Sequence, residues 1–159
     1  DAYLMKSYYK TASLIANSCK SVGVLSQTSD AMAESFYQYG RSLGLAFQIV
    51  DDILDFTGSE EVLGKPAGSD LLSGNLTAPV LYAMEETPYL ETLIEREFAQ
   101  DGDFDEAMAL VKSSRGIERS RELAAQHVER AVENLAGLPQ SEPKRALEAL
   151  SSYVLSRLY

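Results

Sequence analysis

Cysteine and histidine each occur once, as Cys19 and His127. A lone cysteine cannot close an intramolecular disulfide, so a reducing compartment is permitted, and Cys19 reads as a small core filler. With Cys19 and His127 far apart, a zinc or iron site is not supported. No apolar run reaches the roughly 18 residues that a membrane-spanning helix needs, so no transmembrane segment is expected. Alternating apolar and polar residues bounded by hairpin turns are missing too, which argues against a sheet. Basic residues are in the minority: 14 Lys+Arg face 24 Asp+Glu, for a net charge of −10. That balance opposes binding to nucleic acid or to an anionic membrane surface. It also means that an anionic substrate needs cations to bring it in. The opening DAYLMKSYY has neither the charge nor the Arg content of a signal or transit peptide.

What is present is helical. A hydrophobic content of 45% over 159 residues is ample for one core, and the periodicity predicts a single all-α domain over 1–159. Apolar residues at helical spacing run from about Tyr3 to Val24, with Gly23 and the stretch Ser26 to Asp30 as the stop. A longer helix is predicted from an Asp30 cap to about Phe56, ended by Thr57 and Gly58. The 19 residues from Gly58 to Leu76 hold four glycines and a proline, which predicts a loop. Helices are then expected over about 78–86 and 88–100, each opened by an early proline. Asp103 with Glu106 resembles a capping box for a helix to about Ser114. A long amphipathic helix should carry Ile117, Leu123 or Ala124, Val128, Ala131 or Val132 and Leu135 on its inner side, and a last one should bury Leu147, Leu150, Val154 and Leu158. Because the apolar pattern starts at Tyr3 and Leu4 without a lead-in, the chain is expected to be part of a longer protein.

The second helix carries the chemistry. At about 100° per residue, Tyr37, Arg41, Gly44, Gln48, Asp51, Asp52 and Asp55 fall within one sector roughly 100° wide. A solvated helix face is the ordinary fate of such residues. Asp is a poor helix former, however, and three near a helix C-terminus repel one another and oppose the macrodipole. Leu45 and Ile49 flank the stripe, which predicts the wall of a cavity. Clustered carboxylates need a cation to offset their repulsion. Mg²⁺ suits them, since it takes oxygen ligands and usually binds through one or two carboxylates plus substrate phosphates.

The run DDILD at 51–55, after FQ and before F, resembles the second aspartate-rich motif of the trans-isoprenyl diphosphate synthases. YYKTASLI at 8–15 is similar to the family's KT motif, and LGKPAGSDLLSGNLTAPV at 63–80 to the loop and helix start that follow. The wording GKPAGSDL with GNLTAPV looks closest to plant and cyanobacterial long-chain members such as the solanesyl diphosphate synthases. The resemblance implies the C-terminal portion of the isoprenoid synthase helical bundle and a homodimer. It implies a plastid or cyanobacterial cytoplasm as compartment, with the mitochondrion as alternative. The implied reaction elongates an allylic prenyl diphosphate with isopentenyl diphosphate, assisted by Mg²⁺. By the same resemblance Asp51 and Asp55 are metal ligands and Asp52 a ligand through water or a supporting charge. Gln48 contacts the diphosphate or the nascent cation, Lys10 the allylic diphosphate, Thr11 the carbocation or the proton loss, and Lys65 the leaving group.

Two departures stand out. Where many members have lysine after the glycine of GKxT, this chain has Gly74-Asn75-Leu76-Thr77. No first aspartate-rich motif occurs in the 159 residues, nor the arginines that accompany it. The chain is therefore expected to be the C-terminal half of a synthase, inactive alone. The alternatives are a noncatalytic partner of a heteromeric synthase and a class I terpene cyclase.

Overall fold

The computed structural model describes residues 1–58, 64 and 66–158, and every described element is helical. The first rod is built from α1 (Ala2–Ser7), a π-helical turn (Tyr8–Ala12) and α2 (Ser13–Leu25). Ser7, Tyr8, Ala12 and Ser13 all keep right-handed helical dihedrals, so the rod continues through the π turn. Gly23 lies inside α2 rather than stopping it, because its missing Cβ leaves room for Ala33. The rod ends two residues later, and Gln27 takes a left-handed φ of 54° at the turn.

Next comes α3 (Asp30–Thr57), close to its predicted length. Its cap is Ser29, whose Oγ accepts from the Met32 amide at 3.2 Å; Asp30 instead contributes negative charge to the first turn. The region predicted as a loop contains one short turn, α4 (Ser69–Leu72), with Gly68 before it at φ 74°. Then follow α5 (Ala78–Glu86), α6 (Tyr89–Glu95), α7 (Asp103–Ser113), α8 (Gly116–Glu133) and α9 (Glu142–Ser156).

Three expectations are corrected here. The helix expected to reach Gln100 stops at Glu95, since Glu97 and Phe98 adopt positive φ. The capping box at Asp103 does not form: Gly102 holds the cap position, and the Asp103 carboxylate pairs with the Arg96 guanidinium and the Gln100 amide. A buried carboxylate with an arginine partner gains more from that charge-assisted fork than from a cap. In α9, Val154 is buried, Leu147 is half-buried and Leu150 is 47% exposed, while Leu158 lies past the helix end and is half-buried.

Two compact units result, Asp1–Val50 with Leu123–Tyr159, and Asp51–Glu122. The first buries Ala12, Ala16, Leu43, Leu45, Ala46 and Ile49 together with the predicted Ala124, Val128, Ala131 and Leu135. Tyr39 donates to the Leu147 carbonyl at 3.2 Å, and Ser141 caps α9 by accepting from the Lys144 amide. The second unit has its own core of Phe56, Leu71, Val80, Ala83, Leu90, Leu93 and Val111. Among the described residues no helix is long and apolar enough to cross a membrane.

Candidate active site

The upper part of the α3 stripe is a helix seam. Gly44 meets the rod so closely that a Cβ there would stand 2.6 Å from the Ala12 Cα, so no side chain fits. On one side of that crossing, the Tyr8 and Tyr37 hydroxyls share a hydrogen bond of 2.6 Å. The Arg41 guanidinium lies 5.8 Å from the centre of the Tyr8 ring, within cation–π range. On the other side, the Thr11 hydroxyl donates to the Gln48 Oε1 at 2.8 Å. Tyr37, Arg41, Gly44 and Gln48 recur at intervals of four, three and four, so a single helical face supplies every one of these contacts. The expected cavity wall is, over these four positions, a polar packing surface.

The rod presents its half of the seam from the π turn. There the Ser13 amide reaches back to the Tyr8 carbonyl, one residue further than an α-helix allows. Such single π turns are frequent at functional sites. Thr11 is half-buried in the seam, whereas Lys10 is exposed. Tyr8 pushes the Tyr37 phenol above its ordinary range, and burial adds to this. Sequence reasoning missed the Tyr8–Tyr37 pair, although Tyr8 sat in the quoted KT motif and Tyr37 on the polar stripe of α3.

The same unit buries His127 to 2% exposure, with no hydrogen-bond partner on either ring nitrogen among the described residues. Burial first, then the charges of Arg130 and Arg41, hold its pKa down to about 4.

In the second unit, Asp52 is 3% and Asp55 0% exposed, while Asp51 is half-buried. These are not the carboxylates of a solvated face. Asp55 engages the α4 turn with both oxygens: Oδ1 accepts from Ser69 Oγ and Oδ2 from the Asp70 amide, each at 3.1 Å. Its backbone carbonyl accepts from the Gly68 amide at 2.8 Å. Ser69 and Asp70 were quoted within the loop motif, but nothing in the sequence paired them with Asp55. Lys65 lies outside the described residues.

Three carboxylates within five positions are a hard oxygen donor set suited to Mg²⁺. Among the described residues no three His, Cys, Asp or Glu side chains converge as a complete metal site.

The Polyprenyl synthetase family profile matches residues 1–111. Over all 159 residues the chain is 59% identical to a prenyl transferase of Synechocystis, covering 49% of it. It is 51% identical over 158 residues to the chloroplastic solanesyl diphosphate synthase 1 of Arabidopsis thaliana, covering 39% of it. Thus the chain spans half or less of the length of these relatives. Among solved structures, a Caulobacter crescentus polyprenyl synthase complexed with calcium and isoprenyl diphosphate superposes with a TM-score of 0.88 at 34% identity. The match covers 99% of this chain and 49% of that one.

Proposed function

Because the chain belongs to the polyprenyl synthetase family, we propose that it supplies the second carboxylate cluster of a long-chain trans-polyprenyl diphosphate synthase. The substrates are an allylic prenyl diphosphate and isopentenyl diphosphate. In the reaction the allylic C–O bond breaks, a carbon–carbon bond forms to isopentenyl diphosphate, and a proton leaves with the diphosphate as the other product. What supports this reading is the burial of Asp52 and Asp55, at 3% and 0% exposure, on a helix matched by the family profile. A helix does not bury acids for packing alone, since their desolvation is costly without compensating partners.

Asp51 would hold Mg²⁺, with Asp52 bound through water or supporting it by charge, and Asp55 lies one turn further along the same helix. When bound, Mg²⁺ offsets the negative charge that grows on the departing diphosphate. By the resemblance Lys10 would contact the allylic diphosphate, and its side chain is exposed. Thr11 fixes Gln48: with its hydroxyl donating to Oε1, the Gln48 amide nitrogen turns its own donors elsewhere. Oriented dipoles of this kind stabilise charge developing in a transition state. The names of the relatives support a plastid or cyanobacterial setting, and a homodimer is the assembly that the resemblance implies.

The test is elongation by the full-length protein given Mg²⁺, isopentenyl diphosphate and farnesyl diphosphate. Products of many isoprene units are expected. No product, with or without a second synthase subunit, would remove the enzyme reading; product only with such a subunit would establish the partner alternative.

A further inference from the structure

Asp55 is the most buried of the three aspartates, and it faces a segment of backbone. Its Oδ1 takes the Ser69 hydroxyl, its Oδ2 the Asp70 amide, and its main-chain carbonyl the Gly68 amide. Three consecutive residues, the α4 cap Gly68 and the first two residues of α4, are therefore tied to one residue of α3. The tie is reinforced from behind. Gly68 has φ 74°, a left-handed conformation that glycine adopts without strain, and a Cβ there would crowd the Met108 side chain. Leu71, next along α4, is fully buried in the second unit's core. A carboxylate whose two oxygens each accept from a fixed donor has its orientation set by those donors.

We infer that Asp55 is a positioning residue, a clasp that holds Gly68–Asp70 against α3 beside Asp51 and Asp52, rather than a direct ligand of the metal. The inference rests on the synthase reading for its catalytic consequence, but the clasp stands on the hydrogen bonds alone. Within DDILD the aspartates then divide their work: Asp51 and Asp52 serve the metal, and Asp55 fixes the turn at Gly68–Asp70.

The division separates two substitutions that a shared ligand role would make equivalent. In Asp55→Asn, Oδ1 can accept from the Asp70 amide while Nδ2 donates to Ser69 Oγ, so the clasp survives without its charge. Asp55→Ala leaves the Asp70 amide without this acceptor. The full-length protein and its Asp55→Asn, Asp55→Ala and Asp51→Asn variants would be compared by amide hydrogen exchange and by calorimetry with Mg²⁺ and inorganic diphosphate. Asp55→Asn should bind Mg²⁺-diphosphate within about threefold of the parent and keep the Asp70 amide protected. Asp55→Ala should speed exchange at Gly68 and Asp70 by roughly tenfold or more and raise KM for the allylic diphosphate more than it lowers kcat. Asp51→Asn should weaken Mg²⁺-diphosphate binding by roughly tenfold or more with exchange at Asp70 unchanged.

Metal binding as weak in Asp55→Asn as in Asp51→Asn would overturn the clasp, as would unchanged exchange in Asp55→Ala. Faster exchange with KM unaltered would make the contact purely structural. If Asp55→Ala does not fold, Asp55→Asn against Asp51→Asn still decides between clasp and ligand. A parent protein that makes no polyprenyl product fails the functional reading alone, because the exchange data report the clasp without turnover.

Discussion

The hydroxyl of Thr11 reaches the side-chain oxygen of Gln48 across 2.8 Å, and it does so because Gly44, one turn away, lets the two helices touch at Ala12. A residue of the KT motif and one of the FQxxDDxxD run are thus joined by packing that neither motif encodes by itself. The π turn places Thr11, and the absent Cβ at Gly44 sets the distance.

Gly44→Ala should therefore cost about 1–3 kcal/mol, since the new methyl meets backbone that cannot yield cheaply. Urea unfolding reads this. Gly137→Ala serves as the control, as its nearest neighbour is the flexible end of Met32 at 3.3 Å, and it should stay within about 0.5 kcal/mol of the parent. Equal effects from the two would mean that the crossing tolerates separation.

Thr11→Val keeps the shape of the side chain and removes its donor. With Gln48 only 6% exposed, losing that bond should cost about 1–2 kcal/mol. Turnover should fall further than stability explains, because Gln48 loses its set orientation. Thr11→Ser should restore both. A serine variant as poor as valine would assign Thr11 to methyl packing instead.

Asp51→Ala tests the metal assignment. Elongation should fall by about a hundredfold or more, as expected when charge stabilisation of a leaving group is withdrawn. Since Asp51 is half-buried and sits beside Asp52, relief of repulsion should leave stability within about 0.5 kcal/mol. A large drop in Tm without metal would make Asp51 structural.

His127 supplies a pH dependence with a definite sign. Its folded pKa of about 4 lies below the ordinary 6.5, so the unfolded chain takes up the proton first. The contribution is complete above about pH 6.5 and is lost as pH falls toward 4, by up to roughly 3 kcal/mol. Burial is the main cause, with Arg130 and Arg41 adding to it. Urea unfolding at pH 7 and pH 4.5 should show the loss in the parent and a flatter response in His127→Met. Identical pH responses would place the acid sensitivity in other groups.

Much was legible in the residues alone. Periodicity determined the all-α class, the length of α3, the inner face of α8 and the placement of the aspartates on one stripe, because helical spacing is a local property that 3.6 residues per turn imposes. Prolines at 79, 88 and 143 marked helix starts for the same local reason. Caps were less legible: Ser29 and Gly102 took positions expected of Asp30 and Asp103. At Asp103 the choice turned on Arg96, seven residues away, and sequence spacing carries no record of that pairing.

What tertiary structure alone decided is how the stripe is used. A wheel places Tyr37, Arg41, Gly44, Gln48 and the three aspartates together but cannot say what lies opposite them. Packing put Tyr8, Thr11 and Ala12 against the first four. It set Ser69 and Asp70, fourteen and fifteen residues downstream, against Asp55. Those contacts require chain segments distant in sequence to meet at hydrogen-bond range. Only a folded core fixes that separation, whereas residue type and period fix the face from which each side chain reaches.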